Sequence, residues 1–171
     1  MKIVLLGYMA SGKSTIGKAL AEKRGLPFFD LDTEIEKASG MSIPELFEKK
    51  GEIYFRRKES EVLRDVIGSK SAFVLSLGGG TPCYGTNMEA ILAPDVASFY
   101  LKLPISELVD RIHNEKDSRP LVASLAAEEL PEFVGKHLFE RSPYYNRAGK
   151  IIACSGKSVS ETVAEIEATL I

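Results

Sequence analysis

The residues Gly7-Tyr8-Met9-Ala10-Ser11-Gly12-Lys13-Ser14 stand between an apolar run, KIVLL at 2–6, and a stretch of helical periodicity ending at Gly25. This is the GxxxxGK[ST] pattern in its required setting, after a strand and before a helix. It commits the chain to a strand–loop–helix unit whose glycines let successive N–H groups point at phosphate oxygens. Lys13 supplies positive charge to the outer phosphates of a nucleotide, and the Ser14 hydroxyl is a ligand for Mg²⁺. A plain glycine-rich turn with a surface lysine is the bland alternative, and it leaves the complete motif unexplained.

The rest of the chain repeats the same alternation. Apolar runs at 2–6, 27–31, 71–77, 96–103 and 150–155 read as buried strands, and the segments between them carry helical periodicity. Parallel neighbours need crossover connections, so five strands linked by helices predict a five-stranded parallel sheet. The fold class is a three-layer α/β/α sandwich, with ligands gathered at the carboxyl ends of the strands. At 171 residues one domain is expected. Pro104 suits the first turn of a helix over PISELVDRIHNE, and Ser158 with Glu161 forms a capping-box pattern opening a final helix. Residues 34–68 hold more helix than one crossover requires, which reads as an inserted substrate-facing region at about 32–60. HNEKDSRPLVASLAAEEL is charged and proline-interrupted, which reads as a mobile lid at about 112–126.

Composition narrows the partners. Hydrophobic residues make up 44% and charged residues 27%, the balance of a soluble globular protein. A formal net charge of −2 gives no basic field for nucleic acid, and no run approaches the length needed to cross a bilayer. Cys83 and Cys154 lie far apart without a CxxC pattern, so neither a disulfide framework nor a zinc site is indicated, and a cytoplasmic location is expected.

Phosphate binding does not separate kinases from other nucleotide hydrolases. A GTPase-like NKxD is absent, and the strand AFVLSL ends in Gly78-Gly79-Gly80 rather than in an acidic residue. Three consecutive glycines cost conformational entropy, so close approach of a ligand explains them better than a flexible turn. Asp30 and Asp32, spaced i and i+2 at the end of the second strand, would point to one side of an extended backbone. One can hold Mg²⁺ through water while the other takes the proton of an attacking hydroxyl; alternatively Asp32 caps the helix that follows. Arg56 and Glu59 share a helical face, where the carboxylate can orient the guanidinium. Arg57 and Lys58 read as a solvated face. Arg119 in the lid and Arg141 beyond it have the planar fork that suits phosphate or carboxylate.

Taken in order, the phosphate loop through Thr15, the DLD pair, FRRKE (F-R-x-x-E), the glycine triplet, SRPL and RSPYY (R-x-P-x-Y) make the chain resemble the shikimate kinases over nearly its whole length. The resemblance implies ATP-dependent phosphorylation of the shikimate 3-hydroxyl in aromatic amino-acid biosynthesis, with Mg²⁺ and without nucleic-acid or membrane partners; a monomer is expected. It implies Asp32 as the hydroxyl-binding base, Arg56 and Arg141 as holders of the shikimate carboxylate, and Gly78, Gly79 and Gly80 as substrate-facing backbone. It further implies Glu59 as the group orienting Arg56, and Lys13 and Arg119 as neutralisers of charge on the transferred phosphoryl. Ser14 would hold Mg²⁺ directly and Asp30 through water, while Ala10, Ser11, Gly12, Lys13, Ser14 and Thr15 would surround the nucleotide. Arg111, ahead of the lid, is a stacking partner for adenine or else a solvated helix residue. Many members carry Asn-Arg after the glycine triplet, where this chain has Asn87-Met88. Two other readings compete: a gluconate kinase of the same architecture, and a non-catalytic nucleotide-binding module.

Overall fold

The structure, a computed structural model, describes residues 1–115 and 122–170. Arg119 and the centre of the expected lid lie outside the described residues.

Five strands, β1 (Lys2–Leu6), β2 (Phe28–Asp30), β3 (Phe73–Ser76), β4 (Val96–Lys102) and β5 (Lys150–Ala153), form one sheet in the order β2-β3-β1-β4-β5, and every pairing is parallel. Strand β1 coincides with its apolar run at 2–6, β2 and β3 are shorter than theirs at both ends, and β4 and β5 stop short at the carboxyl end only. Strand β1 is central and has neighbours on both sides. Ile3, Val4, Leu5 and Leu6 are wholly buried, which is why this strand reads as an unbroken apolar run rather than an alternation.

Helix α1 (Lys13–Arg24) carries the chain from β1 out to the edge strand β2. From there α2 (Leu31–Ser39), α3 (Ile43–Lys50) and α4 (Glu52–Ser69) return it to β3. A short 3₁₀ turn (Thr81–Cys83) and α5 (Asn87–Ile91) lead to β4, and α6 (Ile105–Asn114) with α7 (Leu130–Tyr145) lead to β5. The chain moves one way across the sheet from β1 to β2 and the other way thereafter. Right-handed crossovers therefore put α1 on one face and α2 to α7 on the other, and the terminal α8 (Val159–Thr169) packs against α1. The reversal occurs beside β1, so the crevice of the fold opens at that strand's carboxyl end.

Local signals explain most helix boundaries. Gly25 takes a left-handed φ of 64° to close α1, and the Ser158–Glu161 capping box of α8 is formed in both directions. Pro104 sits one residue earlier than expected, at the N-cap of α6 rather than in its first turn. The region expected to hold more helix than one crossover requires contains three helices, α2 to α4, packed on one another.

Candidate active site

Strand register brings the functional loops together. Ser76 lies level with Leu5 of β1 on one side and Asp30 of β2 on the other. The Leu77 N–H then bonds to the Leu5 carbonyl at 3.0 Å, so the glycine triplet starts alongside the phosphate loop. These segments line a cavity of about 570 Å³ whose wall includes Lys13, Ser14, Asp30, Asp32, Gly78 and Gly79. Ser76 stands in that wall where many phosphate-loop proteins place an acidic residue.

The loop is tightly wound. Gly12 at φ 92° is a position that side chains rarely adopt, and Ala10 accepts a left-handed φ of 64° in the same turn. Lys13 is 9% exposed, and its ammonium donates to the carbonyls of Gly7 and Tyr8, each at 2.8 Å. The Ser14 hydroxyl donates to Asp30 Oδ2 at 3.0 Å. Ala10, Gly12, Ser14 and Thr15 also face the main cavity, whereas Ser11 is buried and lines a smaller one of about 140 Å³. That second space lies between the phosphate loop and the turn carrying Cys154, Lys157 and Ser158, and Arg111 walls both cavities. Arg111 is not solvated as a bystander, since Nη1 donates to the Ala10 carbonyl at 3.1 Å.

The two aspartates meet the same cavity for a different reason than the one expected. Only Asp30 belongs to the strand; Asp32 lies in the first turn of α2. The capping role also falls to Asp30, whose Oδ1 accepts from the Thr33 N–H at 3.2 Å. Asp32 is left to face the cavity. Burial, reinforced by the Asp30 and Glu59 charges and only partly offset by Lys13, pushes its carboxyl up to about 6.

The glycine triplet is where Asp32, Arg56 and Arg141, the groups expected on the acceptor side, come together. None of its members has a positive φ, so conformational freedom is not what position 78 to 80 requires. Space is. A Cβ at Gly78 would stand 3.4 Å from Asp32 Oδ1, one at Gly79 2.9 Å from Arg141 Nη1, and one at Gly80 2.9 Å from both terminal nitrogens of Arg56. The expected close approach is thus made by side chains of the protein itself. Asp32, Gly78 and Gly79 line the main cavity; Gly80, Arg56 and Arg141 do not, although both guanidiniums lie against the triplet, and Arg56 faces an outer groove beside Tyr84.

Arg56 is held from several sides. Its Nη1 donates to Glu59 Oε1 at 2.9 Å, and its guanidinium lies 3.9 Å from the centre of the Tyr84 ring. Glu59 is 1% exposed and its second oxygen accepts from Thr81 Oγ1 at 2.8 Å. Asn87 donates to the Thr81 carbonyl at 2.9 Å and accepts from Ser60, so the residue before Met88 braces the turn, and Met88 itself is in the core. Across the site, Tyr145 donates to the Gly79 carbonyl. Burial raises its hydroxyl far above the usual range, which keeps it a donor. Thr81 carried no sequence signal. Tyr145 did lie within RSPYY, but nothing local pointed it at Gly79.

A phosphate loop at the switch point of a parallel sheet, faced by a carboxylate and two guanidiniums grouped round a glycine triplet, is the layout of a phosphate-loop kinase for a small acidic acceptor. Comparison with known proteins resolves that class. The family described as shikimate kinase matches residues 9–170. A shikimate kinase of Flavobacterium psychrophilum is 51% identical over 99% of this chain and 98% of its own. Among solved structures, a shikimate kinase from Bacteroides thetaiotaomicron superposes with a TM-score of 0.92 at 33% identity, covering 99% of this chain and 98% of that one. Another, from Acinetobacter baumannii in complex with shikimate, has a TM-score of 0.86 at 34% identity, covering 99% and 92% respectively. The chain belongs to the shikimate kinase family.

Proposed function

We propose that the chain transfers the γ-phosphoryl group of ATP to the 3-hydroxyl of shikimate, giving shikimate 3-phosphate and ADP. Family membership supports the reaction. The observation that carries the residue assignment is the meeting of Asp32, Arg56 and Arg141 around Gly78–Gly80, beside the loop that holds Lys13.

In this reading the triphosphate lies along Gly12–Thr15, and the base enters the smaller cavity between Arg111 and the turn at 154–158. Arg56 and Arg141 hold the shikimate carboxylate, with Glu59 keeping Arg56 in place. Asp32 orients the 3-hydroxyl and accepts its proton as the oxygen attacks phosphorus; the bond to the bridging oxygen breaks and ADP leaves. Lys13 exchanges its loop carbonyls for phosphate oxygens. Arg119 is assigned to the transferred group by resemblance alone.

The donor set fits a magnesium ion. Ser14 and Asp30 present hard oxygens in contact with each other, and no cluster of three or more acidic, histidine or cysteine side chains exists among the described residues. An ion bound through so few protein oxygens keeps water and phosphate as its other ligands, which is the habit of Mg²⁺. When bound, it would neutralise charge on the outer phosphates.

Every assigned group comes from one chain, so a monomer suffices, and two free thiols suit a cytoplasmic setting. No helix among the described residues is long and apolar enough to cross a membrane. The deciding experiment is ADP release with shikimate against gluconate as acceptor. Turnover that depends on shikimate is expected; turnover with gluconate alone would remove the assignment.

A further inference from the structure

The first variable position of the phosphate loop holds Tyr8, an aromatic side chain that phosphate binding does not call for, because the loop grips phosphate with backbone N–H groups and Lys13. Tyr8 is nevertheless 1% exposed and fixed in direction. Its phenolic oxygen lies 3.0 Å from His137 Nδ1 on α7, and the two rings meet edge-on with centroids 5.4 Å apart at 85°. Burial, with Arg141 nearby, keeps His137 on the neutral side of its ordinary range. The ring can thus be locked without a second positive charge beside Arg141.

One turn further along α7, the Arg141 guanidinium stands 5.8 Å from the centre of the Tyr8 ring. Among the described residues no carboxylate forms an ion pair with Arg141. Its supports are neutral: the Tyr8 ring and the Tyr145 hydroxyl, which itself donates to Gly79. A guanidinium placed by a ring face keeps its N–H donors for an incoming anion. The other guanidinium differs, because Arg56 already spends a donor on Glu59. Meanwhile the Tyr8 backbone carbonyl is one of the two that hold the Lys13 ammonium.

We propose that Tyr8 is a positioning residue for the acceptor site: its ring, locked by His137, sets the Arg141 guanidinium where it meets the acceptor's carboxylate, and so ties the carboxylate clamp to the phosphate loop. This rests on Arg141 being a carboxylate holder. Residues 8 and 141 are thereby one unit in acceptor binding, although the motif that places Tyr8 concerns only the nucleotide.

The test compares Tyr8→Leu, Tyr8→Phe, Arg141→Ala and the Tyr8→Leu/Arg141→Ala double variant, using shikimate and the same cyclohexene triol lacking its carboxylate. Tyr8→Leu is expected to raise KM for shikimate about fivefold, the worth of one ring–guanidinium contact, with kcat and KM for ATP within about twofold. Tyr8→Phe keeps the ring and its edge contact with His137 but loses the hydrogen bond, and its KM for shikimate should lie between those of Tyr8→Leu and the parent. The double variant should be no worse than Arg141→Ala, and the triol should not distinguish Tyr8→Leu from the parent. Tyr8→Met replaces the leucine variant if that one does not fold. If Arg141→Ala weakens shikimate binding while the residue-8 variants do not, or if they weaken both acceptors equally, or if the double loss is additive, the positioning role is wrong and the clamp stands. If Arg141→Ala leaves shikimate KM unchanged, the clamp reading fails and this inference with it.

Discussion

Arg56 and Glu59 form a 2.9 Å ion pair across one turn of α4, and the carboxylate of that pair is 1% exposed while the guanidinium keeps 19%. The pair is therefore anchored on the buried side and open on the other. Thr81 completes the anchor by donating to the second carboxylate oxygen. Such an arrangement holds an arginine still against the pull of solvent, at the cost of burying a charge that must never lose its partners.

Removing the anchor is expected to harm both stability and acceptor binding. Glu59→Ala leaves the partly buried guanidinium with only the exposed Glu52 carboxylate, 4.0 Å from Nε, and should cost up to about 3 kcal/mol in urea unfolding. Thr81→Val, which strands one carboxylate oxygen, should cost about 1–2 kcal/mol. Because both act on one network, the double variant should lose less than the two added together, as a double-mutant cycle reads directly. KM for shikimate should rise in each.

Asp32 should trade stability against turnover. Its carboxyl is raised from 3.8 to about 6, so the folded state holds the proton longer than the unfolded one. Between those values stability falls as pH rises, and at neutral pH the group costs the fold up to about 3 kcal/mol. Asp32→Asn is expected to unfold at higher urea at pH 7 to 8 and to lose the slope between about pH 4 and 6. Turnover should drop by roughly 10² to 10⁴, with ATP affinity kept, as expected for a lost base. Full activity in that variant would show that another group takes the proton.

With Asp32 in the proposed role of base, the same carboxyl should set an acid limb for catalysis. With both substrates well below saturation, kcat/KM should fall as pH drops through about 6, where Asp32 takes up its proton. A profile flat down to pH 5 would contradict the assignment.

Gly80 tests whether the triplet exists to make room. A Cβ there would meet both terminal nitrogens of Arg56 at 2.9 Å, and these are the movable end of a side chain rather than backbone. Gly80→Ala should therefore move the guanidinium rather than the backbone, raising KM for shikimate roughly tenfold and costing up to about 3 kcal/mol by straining its pair with buried Glu59. Thermal unfolding and steady-state kinetics separate the two effects.

Ala10 reverses the usual sign of an alanine-to-glycine change. At φ 64° it pays the left-handed penalty of about 1–2 kcal/mol, whereas alanine elsewhere is favoured over glycine by about 0.5–1 kcal/mol. Ala10→Gly should be neutral or stabilising by up to about 1 kcal/mol. A clear loss of stability would mean that the Ala10 methyl packs usefully.

Much of this architecture was written in short stretches of chain. The five strands, the phosphate loop, the capping box at Ser158 and Glu161 and the Arg56–Glu59 pair all depend on residues within a few positions of each other, where backbone sterics and the helical repeat leave few choices. Asp32 shows the boundary. The sequence points it toward the phosphate loop as part of a strand, whereas it reaches the cavity wall from a helix, because no local feature tells that Asp30 caps and turns the chain into α2. The glycine triplet signalled that something came close, yet not that it would be Arg56 and Arg141. Tyr145 reaches Gly79 across 66 positions and Tyr8 reaches His137 across 129. Contacts at that range follow from how the sheet orders its strands and which helices fall on each face, a property of all the packed surfaces together that no window of sequence contains.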